Sequence, residues 1–443
     1  MSLQVEITSL NHSGEGIGRK QDGKIVFVPY TLPGERVLIE IVKEKKNWAR
    51  GNLKKLLSIS PRRREPSCEI FYQCGGCHLQ HLHYEEQANF KEQMVQEVFA
   101  RIGGLKNIKV SPLLKASHEL YYRNKITLHW KNVKGNEQLG FYSPRSRLVV
   151  DTDHCLLAAP LINNTLKYLS PLIKDFKFPL TKRTKQVVIK QSLNQKEVMV
   201  IFTAPAAYKE SLKQLSHELQ QNLPFITSLW HQVIPSKNAK EDKSSPRFLL
   251  LSGKEKLQEK ILNRNFNLSP ASFMQVNISQ AEELYKKMLQ YFQVNSPLSF
   301  VIDLYCGVGT TALLLAETAQ KVIGIDSFEP GIEDAVENAK INDILHTSFL
   351  SGEAEKHLPH ILRTEAVPEA VLLNPPRQGC SPGLLQELCS SKIPFITYIS
   401  CNPVTLSRDE KFLLEHGYRP GAVQPVDMFP QTVHVECVTT LKN

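Results

Sequence analysis

Ser400-Cys401-Asn402-Pro403 follows an apolar run, and Glu436 stands thirty-five residues beyond the cysteine, in His434-Val435-Glu436-Cys437. A cysteine in a strand-to-loop turn supplies a nucleophile, and a later glutamate supplies a base. Together they suit methylation at carbon 5 of a pyrimidine. That carbon is too weak a nucleophile to take a methyl group until a thiolate has added at carbon 6. A buried structural thiol is the plain alternative for Cys401.

The methyl donor needs its own pocket. Ser299 to Asp303 reads as a buried strand running into Leu304-Tyr305-Cys306-Gly307-Val308-Gly309-Thr310, with an apolar helix after it. Two glycines between strand and helix let a nucleoside cofactor approach the backbone. The next strand ends in Asp326, placed to take ribose hydroxyls. A dinucleotide site would look much the same, since Gly307, Gly309 and Ala312 satisfy the looser dinucleotide pattern. Val371-Leu372-Leu373 ends in Asn374-Pro375-Pro376-Arg377, a turn that faces the donor in many nucleic-acid methyltransferases; a plain proline-stiffened turn is the bland reading.

Cys68, Cys74 and Cys77 form a C-x5-C-x2-C pattern around Gly75-Gly76. Three cysteines this close point to metal ligation, with Cys155 as the fourth ligand. Zinc and [4Fe-4S] both accept four thiolates, and spacing does not choose. His78 and His81 are read as solvent-facing. Cys306, Cys380, Cys389 and Cys437 are assigned to packing or turns.

These groups must be positioned by 443 residues, enough for two or three domains. Residues 3 to about 58 read as a five-stranded barrel of the oligonucleotide-binding type, punctuated by Gly14, Gly16, Gly18, Asp22-Gly23 and Pro33-Gly34. Lys43, Lys45, Lys46, Arg50, Lys54 and Lys55 make a basic segment, and Pro61 to Pro66 reads as an exposed linker. A helix is expected from Tyr84 to Ile102, stopping at Gly103-Gly104. Residues 120 to about 268 read as a mixed, mostly antiparallel domain, with Ser236–Pro246 a surface loop. From 269 onward, strands alternate with helices as in a doubly wound sheet. The net charge of +10 favours a polyanion, most simply nucleic acid. No membrane span and no secretory signal are seen, so the nine cysteines are read in the reducing cytoplasm.

The chain resembles the RNA uracil-5-methyltransferases, specifically the 23S rRNA branch with an iron–sulfur cluster. Gly14 to Arg19, Val26 to Pro29 and Leu32 to Glu35 look like its TRAM domain. Cys74 to Cys77 with Leu79 to Leu82 looks like its cluster motif. Tyr122 to Lys125, Phe273 to Asn277, Tyr398 to Pro403 and Asp427 to Pro430 with His434 to Glu436 match further signatures.

The resemblance implies an α/β fold with a C-terminal Rossmann-like S-adenosylmethionine (SAM) domain from 269 to 443. It implies a TRAM barrel over 1–60 and a mixed α+β central domain over 61–268, whose helix at 84–102 packs on the catalytic domain. It implies catalysis by Cys401 and Glu436, donor contacts at Gln275, Tyr305, Thr310, Asp326, Glu353 and Asn374, and a [4Fe-4S] cluster on Cys68, Cys74, Cys77 and Cys155. The expected partner is 23S rRNA, met by a cytoplasmic monomer. The family usually has aspartate where this chain has Asn374; asparagine keeps an acceptor oxygen but loses the charge. The same chemistry on tRNA, an amino methyltransferase, and a non-catalytic RNA-binding protein are the alternatives. Arg377, where amino methyltransferases prefer an aromatic, argues against the second; intact Cys401 and Glu436 argue against the third.

Overall fold

The computed structural model describes residues 2–133, 135–175, 185–234, 247–294 and 297–443; the expected loop Ser236–Pro246 lies outside them. Five strands, β1 to β5 (Ser2–Leu10, Gly16–Arg19, Ile25–Val28, Arg36–Glu44, Trp48–Leu56), close into a barrel in the order β1-β2-β3-β5-β4. Alternating Val5, Ile7, Val26, Val28, Val37 and Ile39 fill it. Gly16 and Gly18 lie in β2 instead of a turn. Side chains there would collide with Thr31 and Val5. The basic residues from Lys43 to Lys55 belong to β4, the β4–β5 connection and β5 rather than following the barrel.

Arg63 corrects the linker reading. It is 8% exposed and forks onto the fully buried Glu35 at 2.6 and 2.9 Å. A guanidinium fits a carboxylate bidentately, so this run is a barrel clasp.

Helix α1 (Tyr84–Glu97) continues through a π-helical turn, Val98–Ile102, to Gly103 and Gly104. A seven-stranded sheet follows, ordered β12-β11-β10-β9-β6-β7-β8. Its strands are β6 (Lys125–Val133), β7 (Asn136–Tyr142), β8 (Val149–Asp151), β9 (Lys185–Ser192), β10 (Glu197–Pro205), β11 (Ile226–Ile234) and β12 (Arg247–Gly253). Helices α2 (Pro160–Asp175) and α3 (Lys209–Asn222) pack on it, and only β10–β11 is a parallel pair. The hairpin β13 (Leu257–Ile261) and β14 (Arg264–Leu268) then turns Ile261 and Phe266 into the core of the C-terminal unit, as helix α4 (Ile278–Gln293) does with Leu284 and Met288. Residues assigned by pattern to the central domain thus complete the core of its neighbour.

The C-terminal sheet is ordered β17-β16-β15-β18-β19-β22-β20, with β21 beside β22. Strands β15 (Leu298–Leu304), β16 (Ala319–Asp326), β17 (Thr347–Ser351), β18 (Ala370–Leu373) and β19 (Phe395–Ser400) run parallel; β22 (Glu436–Lys442) is antiparallel to β19, and β20 (Arg419–Pro420) and β21 (Gln424–Val426) are antiparallel to β22. Their crossover helices are α5 (Thr310–Leu315), α6 (Glu329–Ile341), α7 (Ala354–Thr364), α8 (Pro382–Ser390) and α9 (Pro403–Glu415). Order reverses between β15 and β18, which opens a crevice at the strands' carboxyl ends.

Helix α1 packs on this C-terminal unit. Ala88, Val95 and Phe99 enter its core, and the fully buried Lys91 donates to Asp427 at 2.5 Å and to the Phe429 carbonyl at 3.0 Å. Tyr84 donates to the other oxygen of Asp427. Lys91→Met would leave the Asp427 carboxylate buried without its cation. Unpaired buried charges cost about 3–5 kcal/mol, so urea unfolding of that variant is expected to shift by this amount; an unchanged midpoint would show the pair to be neutral for stability. Among the described residues, no helix is long and apolar enough to cross a membrane.

Candidate active site and thiol cavity

A cavity of about 1180 Å³ opens at the crevice. Tyr305 and Gly307 leave β15 with φ of 68° and 56°, and Gly309 follows at 80°. A side chain on Gly309 would meet Ala335 and Phe349 at 3.0 Å, so glycine is required; beside Gly307 the space is open. Asp326 ends β16 and is held by two backbone amides, from Gly307 at 2.9 Å and Phe328 at 2.8 Å. Asp326 lines the cavity, at the strand end where an acid takes ribose hydroxyls in nucleoside-cofactor folds. Gln275, Tyr305, Glu353 and Asn374 also line the cavity. Thr310 does not: it is buried at the start of α5, behind Gly309.

Cys401 stands in the turn between β19 and α9. Asn402 caps α9 by accepting from the Val404 amide, and Pro403 takes the first helical position. Asn402 also donates to the Arg377 carbonyl at 2.9 Å, tying this turn to the Asn374–Arg377 turn. Strand β22 completes the pair. Ser400 sits opposite Cys437 as the last pair of an antiparallel ladder, and Cys401 and Glu436 are the residues next to that pair on the two chain segments. Both residues line the cavity.

Burial pushes the Glu436 carboxyl up to about 8, against the pull of the Arg377 guanidinium. Burial and then Glu436 push the Cys401 thiol up, and Arg377 again opposes them. Arg377 is therefore the cation facing both reacting groups. Sequence reasoning gave it no role in the site; its place directly after Asn374-Pro375-Pro376 was the available signal. His434, likewise unassigned, lines the same cavity. Burial, Arg377 and His78 lower its pKa to about 4, so it is neutral at neutral pH.

Cys68, Cys74, Cys77 and Cys155 line a second cavity, of about 310 Å³. The Gly76 amide donates to the Cys74 sulfur at 3.3 Å and the Gln80 side chain to the Cys77 sulfur at 3.2 Å. Burial pushes Cys74 to about 11 and Cys77 to about 12. Among the described residues, no group of three or more Cys, His, Asp or Glu is drawn together around a single-ion position. Four thiols around one cavity are a donor set that zinc and an iron–sulfur cluster both accept. Neither neighbouring histidine faces solvent as expected: His81 is fully buried against Phe71 and Tyr30, and His78 packs edge-on against His434 at 5.8 Å. Cys380 is buried as expected but also borders the larger cavity.

Residues 83–443 match the family model for tRNA (Uracil-5-)-methyltransferase, and residues 2–54 match the TRAM domain. The chain belongs to the RNA uracil-5-methyltransferase family. It is 36% identical to a Bacillus cereus protein described as an uncharacterized RNA methyltransferase, over 99% of this chain and 96% of that one. A Clostridium tetani protein of the same description is 34% identical, with 98% and 94% covered. Among solved structures it is similar to the Pyrococcus abyssi tRNA (uracil-54, C5)-methyltransferase in complex with S-adenosyl-L-homocysteine: TM-score 0.75, 28% identity, 99% of both chains. The family methylates uracil carbon 5 in RNA with SAM as donor, and the α/β fold with its N-terminal TRAM barrel is the one expected.

Proposed function

We propose that this enzyme methylates carbon 5 of a uridine in 23S rRNA through a covalent adduct on Cys401. The observation that carries the reading is the cross-strand placement of Cys401 and Glu436 on the cavity that also holds Asp326 and Asn374, with Arg377 facing both.

Cys401 loses its thiol proton to solvent water, and the Arg377 guanidinium stabilises the thiolate. Sulfur forms a bond to uracil carbon 6, and the π electrons move to carbon 5 and the carbonyl oxygen. The Gln275 amide donates a hydrogen bond to that oxygen. Carbon 5 takes the methyl carbon as the sulfonium–methyl bond breaks, and the donor leaves as a neutral thioether. Glu436 accepts the carbon-5 proton, the double bond re-forms, and the thiolate departs. Tyr305, Asp326, Glu353 and Asn374 hold the donor; Thr310 supports their loop from behind. The base must leave its stack, at about a few kcal/mol. Before that, the barrel and linker charges not already paired hold the phosphates. The protein works as a monomer in the cytoplasm.

Cys68, Cys74, Cys77 and Cys155 would hold a [4Fe-4S] cluster, which supplies a cross-link between two chain segments around the second cavity. Protein purified without oxygen is expected to be brown, with about four iron atoms per chain. Stoichiometric zinc without iron would overturn the cluster.

A second reading is tRNA, favoured by the Pyrococcus abyssi enzyme, whose substrate is tRNA uracil-54. Mass spectrometry of 23S rRNA and tRNA from a deletion strain decides between them. A 5-methyluridine lost from 23S rRNA supports the first reading, and one lost only from tRNA supports the second.

A further inference from the structure

Lys190 stands in the middle of β9, yet only 8% of it is exposed. Lysines are almost never buried this deeply unless paired. Among the described residues, no carboxylate forms an ion pair with the Lys190 nitrogen. It donates to three backbone carbonyls: Ser269 at 3.4 Å, Pro270 at 2.9 Å and Ser272 at 2.9 Å. An ammonium has three donors, so all are used.

All three carbonyls belong to the stretch just before Phe273 and Gln275, which both line the large cavity. The same loop is held from two other sides. Asn124, ahead of β6, donates to the Gln275 carbonyl through its side chain at 3.1 Å and to Val276 through its amide at 2.9 Å. Asp334, on α6, accepts from the Ser269 amide at 2.9 Å and from the Ser272 hydroxyl. Within the loop the Ser272 amide donates to the Ser269 carbonyl at 3.2 Å and the Ser269 and Ser272 hydroxyls share a bond at 2.7 Å. Beyond these, its shape rests on Lys190, Asn124 and Asp334, and Lys190 satisfies the most carbonyls of the three. Burial, together with the nearby Lys125, pulls Lys190 down to about 7, with Asp334 opposing. Burial and Lys125 thus disfavour a cation here, and the three carbonyls and Asp334 favour it.

We infer that Lys190 is a positioning residue: it clamps Ser269–Ser272 so that Gln275 projects into the cavity where the uracil reacts. This rests on the methylation reading above for the role of Gln275. Clamping costs nothing at the moment of reaction, because the loop is shaped before substrate arrives. Misplacing a contact group by about 1 Å can cost about 100-fold in rate.

The test uses Lys190→Met, which fills the volume without donors, and Lys190→Gln, which keeps donors without charge and carries the test where the methionine variant fails to fold. Two readouts are taken on full-length protein. Hydrogen exchange at the Phe273–Val276 amides, without RNA or donor, reports the loop directly and does not depend on the reaction assigned. Steady-state methylation of an RNA that the wild-type protein modifies reports kcat and the KM for SAM.

The inference expects faster exchange confined to this loop, kcat lower by about 10- to 100-fold, and a KM for SAM within about twofold of wild type, since the donor rests on Asp326 and the Tyr305–Gly309 loop. A lysine that merely stabilises the fold would raise exchange across β9 and its neighbours and leave the kcat of the folded fraction unchanged. Either that pattern or unchanged exchange at Phe273–Val276 overturns the clamp. Wild-type protein that fails to methylate uracil, with local exchange still faster in the variants, would overturn the methylation reading while keeping the clamp.

Discussion

Cys401→Ala is expected to lose methyl transfer to carbon 5 by about 1000-fold or more while keeping the fold and donor binding. Removing the nucleophile from a covalent mechanism leaves only binding and orientation, so the loss is of this order. The substitution is mild for the structure. The turn is held by Asn402 bonds to the Val404 amide and the Arg377 carbonyl, and by Ser400 with Asn402, none of which uses the sulfur. Tyr305, Asp326 and Asn374 follow β15, β16 and β18, whereas the thiol shares their cavity from the turn after β19. Wild-type protein with 5-fluorouridine RNA is expected to give an adduct that survives denaturing gels, because fluorine does not leave as a proton does; the alanine variant gives none. Appreciable carbon-5 methylation by Cys401→Ala would sink the nucleophile assignment.

Glu436→Gln is expected to trap the reaction one step later. The amide cannot accept the carbon-5 proton, so the methylated RNA stays on Cys401 and a shifted band accumulates with ordinary RNA. The near-isosteric swap fits, because burial holds Glu436 up at about 8 and it is already neutral at neutral pH before substrate binds. The same fact sets the pH dependence. The base is the carboxylate, so release from a preformed adduct rises with pH through about 8 and levels above it. The glutamine variant lacks that rise. Measuring release separately from attack matters, since the Cys401 thiolate also grows with pH. Product freed at the wild-type rate by Glu436→Gln would remove this role.

Much of the site is legible in one dimension. Strand-end motifs work because a doubly wound sheet delivers the carboxyl end of every parallel strand to one crevice. The Tyr305–Gly309 loop, Asp326, Asn374 and Cys401 each sit at such an end, and the sequence marks each with an apolar run and a turn. The barrel was legible for a similar reason: alternation and turn residues are local signals.

What the sequence could not convey is which polar groups end up buried together. Arg63 looked exposed inside a basic run, but Glu35, twenty-eight residues away, takes it into the barrel's edge. The helix at 84–102 was expected to pack on the catalytic domain, but nothing local marked Lys91 as the residue that pairs with Asp427, 336 residues on. His81 reads as a turn histidine, and it is stacked among aromatics. Arg377 looked like a residue after a turn and faces the thiol and the carboxyl. Lys190 shows the most plainly that partner and burial are tertiary facts. The sequence by itself determined the residue types proposed for the chemistry, their strand-end positions and the fold that gathers them. Only the tertiary structure decided the charge state of those residues and what holds their loops, because pKa values and buried hydrogen bonds depend on groups brought together from far along the chain.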